Sequence, residues 1–257
     1  MFYYCHSLKK LDMSGWDTSN WVLTTLSYCF AECNALSDLR ISNWDTSNWP
    51  LESLEYFMYN CRSLKELDFS QWDTSNWIVT NFARVWNRCM NLKTLKIDNW
   101  DTSGWHVTTL ANTWYQCWNL KELNIGNWDT SGWAVTSLSY TWGQCRSLLS
   151  LDLSKWNTTN WAVTSLGYTW TSMDNLKELK IGTWNTSNWA VTTMQGTWTQ
   201  DLSLEELDVK NWVTTSWAVT TLNATWGECR SLRKLELNNW NTSNWAVTSL
   251  GSTFAYC

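Results

Sequence analysis

The residues able to do chemistry in this chain of 257 are nine Cys, two His, the Asp, Ser and Thr of a recurring DTS motif, and 25 Trp. Nucleophilic catalysis needs Ser, Cys or Thr beside a base, yet His6 and His106 lie at different points of the pattern and no singular cluster forms around either. Cys5, Cys33, Cys61, Cys89, Cys117, Cys145, Cys229 and Cys257 recur at multiples of 28 residues, with Met173 and Asp201 filling two places and Cys29 outside the series. Their replacement by Met reads as a column of small buried thiols rather than disulfides. With no CxxC and no histidine among them, no metal site is expected. Gly-rich phosphate loops are absent as well, so no cofactor and no enzymatic activity are expected.

Two aromatic and hydroxyl series remain as candidate surfaces. Trp21, Trp49, Trp77, Trp105, Trp133, Trp161, Trp189, Trp217 and Trp245 share one phase, and exposed they would make an aromatic strip for sugar stacking or lateral assembly. Thr18, Thr46, Thr74, Thr102, Thr130, Thr158, Thr186, Thr214 and Thr242 share another, and suit either closing a turn or presenting hydroxyls to a repetitive ligand such as glycan or ice. For both series the alternative is a packing role. Asn157, Asn185, Asn223 and Asn241 begin glycosylation sequons, three of them only by replacing the turn Asp.

What positions these residues is a repeat. Trp16, Trp44, Trp72, Trp100, Trp128, Trp156, Trp184, Trp212 and Trp240 are each 28 residues from the next without gap or insertion, so residues 1–257 read as one array of nine turns. The unit is LxxLxLxxW[DN]TS[NG]WxVTxLxxxWxxC. Leu148, Leu151 and Leu153 suit a short strand with one buried face. DTSN or DTSG is turn chemistry, with Asp accepting from the backbone ahead and Asn or Gly suited to the left-handed region. Val135, Leu138, Trp142 and Cys145 step by three, four and three, which predicts one face of a short helix with Thr136 as its N-cap. The expectation is an α/β repeat solenoid of leucine-rich-repeat type, with parallel strands on one side, short helices on the other and no obvious caps. Facing outward from the strands are Asp12, Arg40, Asp68, Lys96, Asn124, Asp152, Lys180, Asp208 and Glu236, an order that avoids like neighbours until Asp208 meets Glu236.

The segments MFYYCHSLKKLDMSGWDTSNW and SLKELDFSQWDTSNW resemble the BspA-like leucine-rich repeat surface proteins, also known from Mycoplasma lipoproteins. The resemblance covers all nine copies. It implies a right-handed solenoid in a surface-exposed, extracellular protein with adhesion or host contact as its role, and it brings no catalytic residue. The sequence departs from that pattern where NWAVT adds a Trp to the family's NVT, and where Trp86, Trp114, Trp142, Trp170, Trp198 and Trp226 replace a usual Phe. Phe2 and Cys5 match the phase at which Tyr256 and Cys257 stop, which reads as a window of a longer array, or as a protomer that stacks end to end.

Composition bounds the rest. A formal charge of −5 without any basic run argues against a nucleic-acid surface, and no apolar stretch is long enough to span a membrane. The amino end lacks the features of a signal peptide. Together these readings give a non-catalytic structural and interaction module of an extracellular or surface array, self-associating end to end or laterally into a filament. The alternative is an adhesin-type module that binds glycan or host protein along its Trp and Thr ladders, with ice binding third.

Overall fold

The computed structural model describes residues 1–257. Eight short strands recur once per turn: β1 (Lys10–Asp12), β2 (Asp38–Arg40), β3 (Glu66–Asp68), β4 (Thr94–Lys96), β5 (Ser150–Asp152), β6 (Glu178–Lys180), β7 (Glu206–Leu207) and β8 (Lys234–Leu235). β3 to β6 bury their central Leu, β7 buries Leu207, and Leu11, Leu39 and Leu235 are half-buried, while most flanking residues turn outward, as the period of two demands. Pairing is parallel and in register, Leu11 against Leu39, Leu67 against Leu95, Leu151 against Leu179 and Leu207 against Leu235.

The strands do not form one sheet. They pair in twos, β1 with β2, β3 with β4, β5 with β6 and β7 with β8, and the fifth turn, around Leu123, has no paired strand. Outward charges account for much of this. Within pairs, Arg40 meets Asp12 at 3.5 Å, Lys96 meets Asp68 at 2.8 Å and Lys180 meets Asp152 at 3.2 Å. Between pairs, Asp38 precedes Glu66 and Glu178 precedes Glu206, and like charges directly opposite weaken a ladder. Where Asp208 would face Glu236, β7 and β8 stop one residue short.

After each strand the DTS motif forms the expected side-chain turn. Asp17 Oδ1 accepts from the Ser19 amide at 3.1 Å and the Ser19 hydroxyl at 2.6 Å, and Asp45, Asp73 and Asp101 repeat this arrangement. The following Asn does not take the left-handed conformation expected of it. It reaches back instead, as Asn48 Nδ2 does to the Ser19 carbonyl at 2.9 Å.

The largest departure from the sequence reading is on the far side of the turn, where no helix forms. Val135, Leu138, Trp142 and Cys145 are all buried as the spacing requires, but Tyr140 and Gln144 have φ of 58° and 61°, which breaks any helix. The arc is a chain of tight turns. Thr141, Gly143 and Cys145 donate three residues back, to Leu138, Tyr140 and Trp142, while Tyr140, Trp142 and Gln144 donate to Gly167, Thr169 and Thr171 of the next turn. Nor does Thr136 cap a helix, since its hydroxyl donates to the Thr108 carbonyl at 3.2 Å. Spacing between turns explains the choice. Parallel bridges run unbroken from Thr25 through Ser53, Asn81, Thr109, Ser137, Ser165, Thr193 and Thr221 to Ser249, fixing successive turns at about 4.8 Å. Packed helices need about 8–10 Å between axes, so a helix per turn cannot share that ladder. The fold is therefore a helix-free solenoid of parallel strands, bridges and stacked turns rather than an α/β one.

Inside lie three aromatic columns. In the Trp16 series, stacked pairs such as Trp44 on Trp72 and Trp184 on Trp212 lie at 6.1–6.5 Å with planes within 6°, and from Trp44 to Trp240 each indole N–H reaches a carbonyl of the preceding turn, as Trp156 does to Ile125 at 2.9 Å. The Trp21 series stacks at 6.0–6.5 Å, and the Trp86 series at 5.4–5.9 Å. Neighbouring columns meet tilted, as Trp77 and Trp100 do at 5.5 Å and 57°, which is the edge-to-face geometry that aromatic quadrupoles favour.

Candidate functional site

The two ladders singled out in the sequence lie inside. Trp49 through Trp217 of the Trp21 series have no accessible surface, and only the end members Trp21 and Trp245 are half-buried. A side chain with no accessible surface cannot stack on a sugar, so the aromatic strip is not presented along the turns. The residues that follow the inserted Trp alternate, with Val135 inward and Ala134 and Thr136 outward. The indole nitrogens from Trp49 to Trp245 of this column, and from Trp86 to Trp226 of the other, have no hydrogen-bond partner.

The Thr18 series is buried as well, from Thr18 through Thr214, with only Thr242 exposed at the last turn. Each hydroxyl donates across the stack to the carbonyl one turn on, Thr46 to Asp73 at 2.8 Å and Thr158 to Asn185 at 2.9 Å. These bonds join one turn to the next rather than close a single turn, and with burial they leave those hydroxyls nothing to offer a ligand.

A different hydroxyl ladder faces outward. Thr80, Thr108, Thr136, Thr164, Thr192, Thr220 and Thr248 are exposed, and each hydroxyl donates to the carbonyl of the preceding turn at 3.1–3.3 Å. Beside it Ala134, Ala162, Ala190, Ala218 and Ala246 are exposed too, giving an uncharged lateral face of methyls and hydroxyls over the last five turns. The alternation in NWAVT, Ala out, Val in, Thr out, is a period-two signal that would have found this face. The helix reading of the same segment hid it.

The Cys column is a thiol column. Every cysteine is free, and all but Cys5 and Cys257 are buried. Cys61 Sγ donates to the Phe30 carbonyl at 3.0 Å and Cys145 to Trp114 at 3.3 Å, so each thiol points along the stack to a backbone oxygen and not at another sulfur. Burial raises the Cys89 and Cys145 thiols to about 12, which removes thiolate reactivity. Asp201 replaces a Cys here. It is fully buried, accepts from the Met173 amide at 2.9 Å through Oδ1, leaves Oδ2 without a partner, and is driven by burial far above the usual carboxylate range. His6 lies against Asn34 at 3.1 Å and His106 against the Gly132 carbonyl at 3.2 Å, so the two histidines hold separate surface positions.

The ends of the stack are aromatic. Trp16 is 42% exposed where its equivalents Trp44 to Trp212 are at most 4%, and Phe254, stacked on Trp226 at 5.0 Å, is 54% exposed.

On the strand side, three polar clefts open where strand pairing is interrupted. The largest, about 600 Å³, lies between β6 and β7 and is lined by Lys177, Glu178, Lys180, Glu205, Glu206 and Asp208 among others. A second, about 360 Å³, separates β2 from β3, and a third, about 370 Å³, lies between the fifth turn and β5.

Comparison with known proteins adds a family and a set of fold relatives. A family model described as Mycoplasma protein of unknown function, DUF285, matches residues 1–104, 80–164 and 136–257. No match was found among curated proteins. Among solved structures, the chain is similar to a leucine-rich repeat protein from Bacteroides ovatus, with 14% identity, a TM-score of 0.37, and coverage of 98% of this chain and 66% of that one. A Leptospira interrogans leucine-rich repeat protein gives 15%, 0.27, 88% and 71%, and the ectodomain of an Arabidopsis thaliana receptor kinase gives 18%, 0.29, 91% and 30%. The chain thus spans just under two thirds of the first of these structures and less than a third of the receptor ectodomain.

Proposed function

This chain belongs to the DUF285 family of Mycoplasma-type repeat proteins along its whole length, and from that premise we propose that it is a non-catalytic structural and interaction module of an extracellular or surface array. The observation that carries the proposal is the repetition of one turn along an unbroken ladder of parallel bridges from Thr25 to Ser249, over a continuous buried aromatic core. The inner rings of its Trp columns, such as Trp105 and Trp133, are fully covered within the stack of turns. Burying such surface is worth about 25 cal/mol per Å², and stacking adds about 0.5–1.5 kcal/mol per aromatic pair. A further turn of the same kind, in this chain or in a second copy, would stack in the same way. Both would extend the array along its own axis.

Light scattering across a concentration series tests the assembly. The expected result is a mass rising above the 30.1 kDa of one chain, and a return towards that mass in Trp16→Asp. A mass of one chain at every concentration overturns the assembly reading and leaves only the interaction module.

A second reading, the adhesin type, is favoured by the lateral Ala and Thr face. An uncharged hydroxyl surface repeating at the turn spacing suits a periodic partner such as a glycan or a host protein surface. Glycan-array binding that is lost when Thr136, Thr164 and Thr192 are changed together to Lys is the expected result. Binding that survives those changes overturns the assignment of the face.

A further inference from the structure

Two of the Trp series alternate in space as they do in sequence. Trp16 meets Trp21 at 5.8 Å, Trp21 meets Trp44 at 5.9 Å and Trp44 meets Trp49 at 5.9 Å, and this zigzag runs on to Trp245 with every step between 5.5 and 6.2 Å. The Trp86 series runs beside it, Trp142 meeting Trp156 at 6.1 Å and Trp226 meeting Trp240 at 6.3 Å. Indole thus touches indole through all the turns from Trp16 to Trp245, without a gap bridged by any other side chain.

Indole gives up one electron far more readily than Phe or the aliphatic side chains packed around it. The radical cation so formed ordinarily stops moving when it loses its N–H proton. That exit is closed inside this chain. From Trp44 to Trp240 the N–H of one series is held by a backbone carbonyl, which is not a base, and from Trp49 to Trp245 the N–H of the other has no acceptor. The buried thiols offer no proton-coupled trap either, since burial raises Cys89 and Cys145 to about 12. Neighbouring π faces favour positive charge on a ring between them. The repeat gives each rung one of the same two surroundings, so the charge meets like sites as it moves. Trp16 differs, because at 42% exposure water reaches the ring and takes its proton.

We propose that the indole zigzag carries one-electron oxidation along the axis of the solenoid, from an outer-sphere oxidant met at one part of its surface to an exposed Trp at another. The oxidant is reduced by one electron as the first ring becomes a radical cation. Each ring then regains its electron from the next, and the vacancy ends where an exposed indole gives its N–H proton to water and remains as a neutral radical.

The test attaches a ruthenium polypyridyl maleimide to Cys257, which is exposed and whose Sγ lies 2.8 Å from the Trp226 carbonyl, in a Cys5→Ser chain so that one thiol is labelled. Trp16 is then roughly 40 Å away at about 4.8 Å per turn, too far for a single electron transfer to compete. Flash excitation with an irreversible cobalt(III) quencher generates ruthenium(III), which takes the electron. A nitroso spin trap in the buffer bonds to the radical that results, and mass spectrometry of the digested chain locates the adduct. Samples are kept at dilutions where light scattering gives the mass of one chain, so that contact between copies plays no part. Adduct at Trp16 is expected, with a yield independent of dilution, and its loss is expected when Trp128→Phe, Trp133→Phe and Trp142→Phe together remove one turn of indoles, folding being checked by the amide I band. No adduct at Trp16 in the parent chain overturns the proposal. So does a yield that falls with dilution, which needs no variant to read, or an undiminished yield in the folded triple variant, since either marks a route through solvent.

Discussion

At the residue scale, identity within a phase matters more than identity along the chain. A Cys in the column costs little because its thiol is a small hydrophobe with a carbonyl to donate to, as Cys117 has in Trp86. Burial keeps these thiols protonated and out of reach, so Ellman titration of the native chain is expected to label Cys257 fast and Cys5 partially, and all nine only after denaturation. Rapid labelling of the seven buried thiols would contradict their burial. Asp201 is the exception that costs stability. Its folded carboxyl is held neutral well above the unfolded value, so the unfolded chain ionises first and this residue lowers stability increasingly as pH rises above about 4. Replacing it with the Cys of its neighbours should stabilise the chain by about 1–3 kcal/mol at neutral pH, the cost of an unsatisfied buried polar group, and by less in acid. Chemical denaturation of Asp201→Cys at two pH values measures this. The turn carboxylates act in the opposite sense. Ser19 and Ser47 hold Asp17 and Asp45 below the usual range through side-chain and backbone hydrogen bonds, and Lys96, with Ser70, holds Asp68 to about 2, so their contribution is present above the unfolded carboxylate range and is lost as pH falls through the folded values.

At the element scale, the sequence made the strand and the DTS turn legible and misled about the arc. Period two in Leu151 and Leu153 and the Asp side-chain turn are local properties, and both appear in place. The spacing of Val135, Leu138, Trp142 and Cys145 reports only which residues face inward, and a stack of tight turns satisfies it as well as a helix does. What decides between them is the ladder from turn to turn, a long-range property that periodicity within one copy does not carry. The same oversight placed the hydroxyl ladder at the Thr18 phase, where it is buried, and passed over the exposed one at Thr136. Left-handed residues now mark the arc, and at most of them no Gly announces it: of the Tyr28 series only Gly196 has one. Ala224, with φ of 54°, offers a test with opposite signs. Ala224→Gly should raise stability by up to about 1 kcal/mol, because a left-handed Ala is strained, whereas in a helix the same change lowers it by about 1 kcal/mol. Thermal unfolding of the variant reads the sign.

At the scale of the whole molecule, one side of the solenoid is bonded without a break and the other is bonded in pairs, and function follows that asymmetry. The continuous bridge side presents the even Ala and Thr face, the interrupted strand side presents acidic clefts, and the ends present stacked rings. The interior is uniform, so the surfaces alone distinguish one part of the array from another. All of these assignments rest on turns that stack one on the next, bridged without a break on one side, with no helix in any of them. Amide I infrared spectroscopy tests this most directly, since indole rings contribute little to that band while they distort the far-ultraviolet circular dichroism of a chain with 25 Trp. The account predicts a band of parallel-strand and turn components without a helical one. A helical component on the scale of one short helix per turn would contradict it and return the bridge side, with its Thr face, to the interior of a different fold.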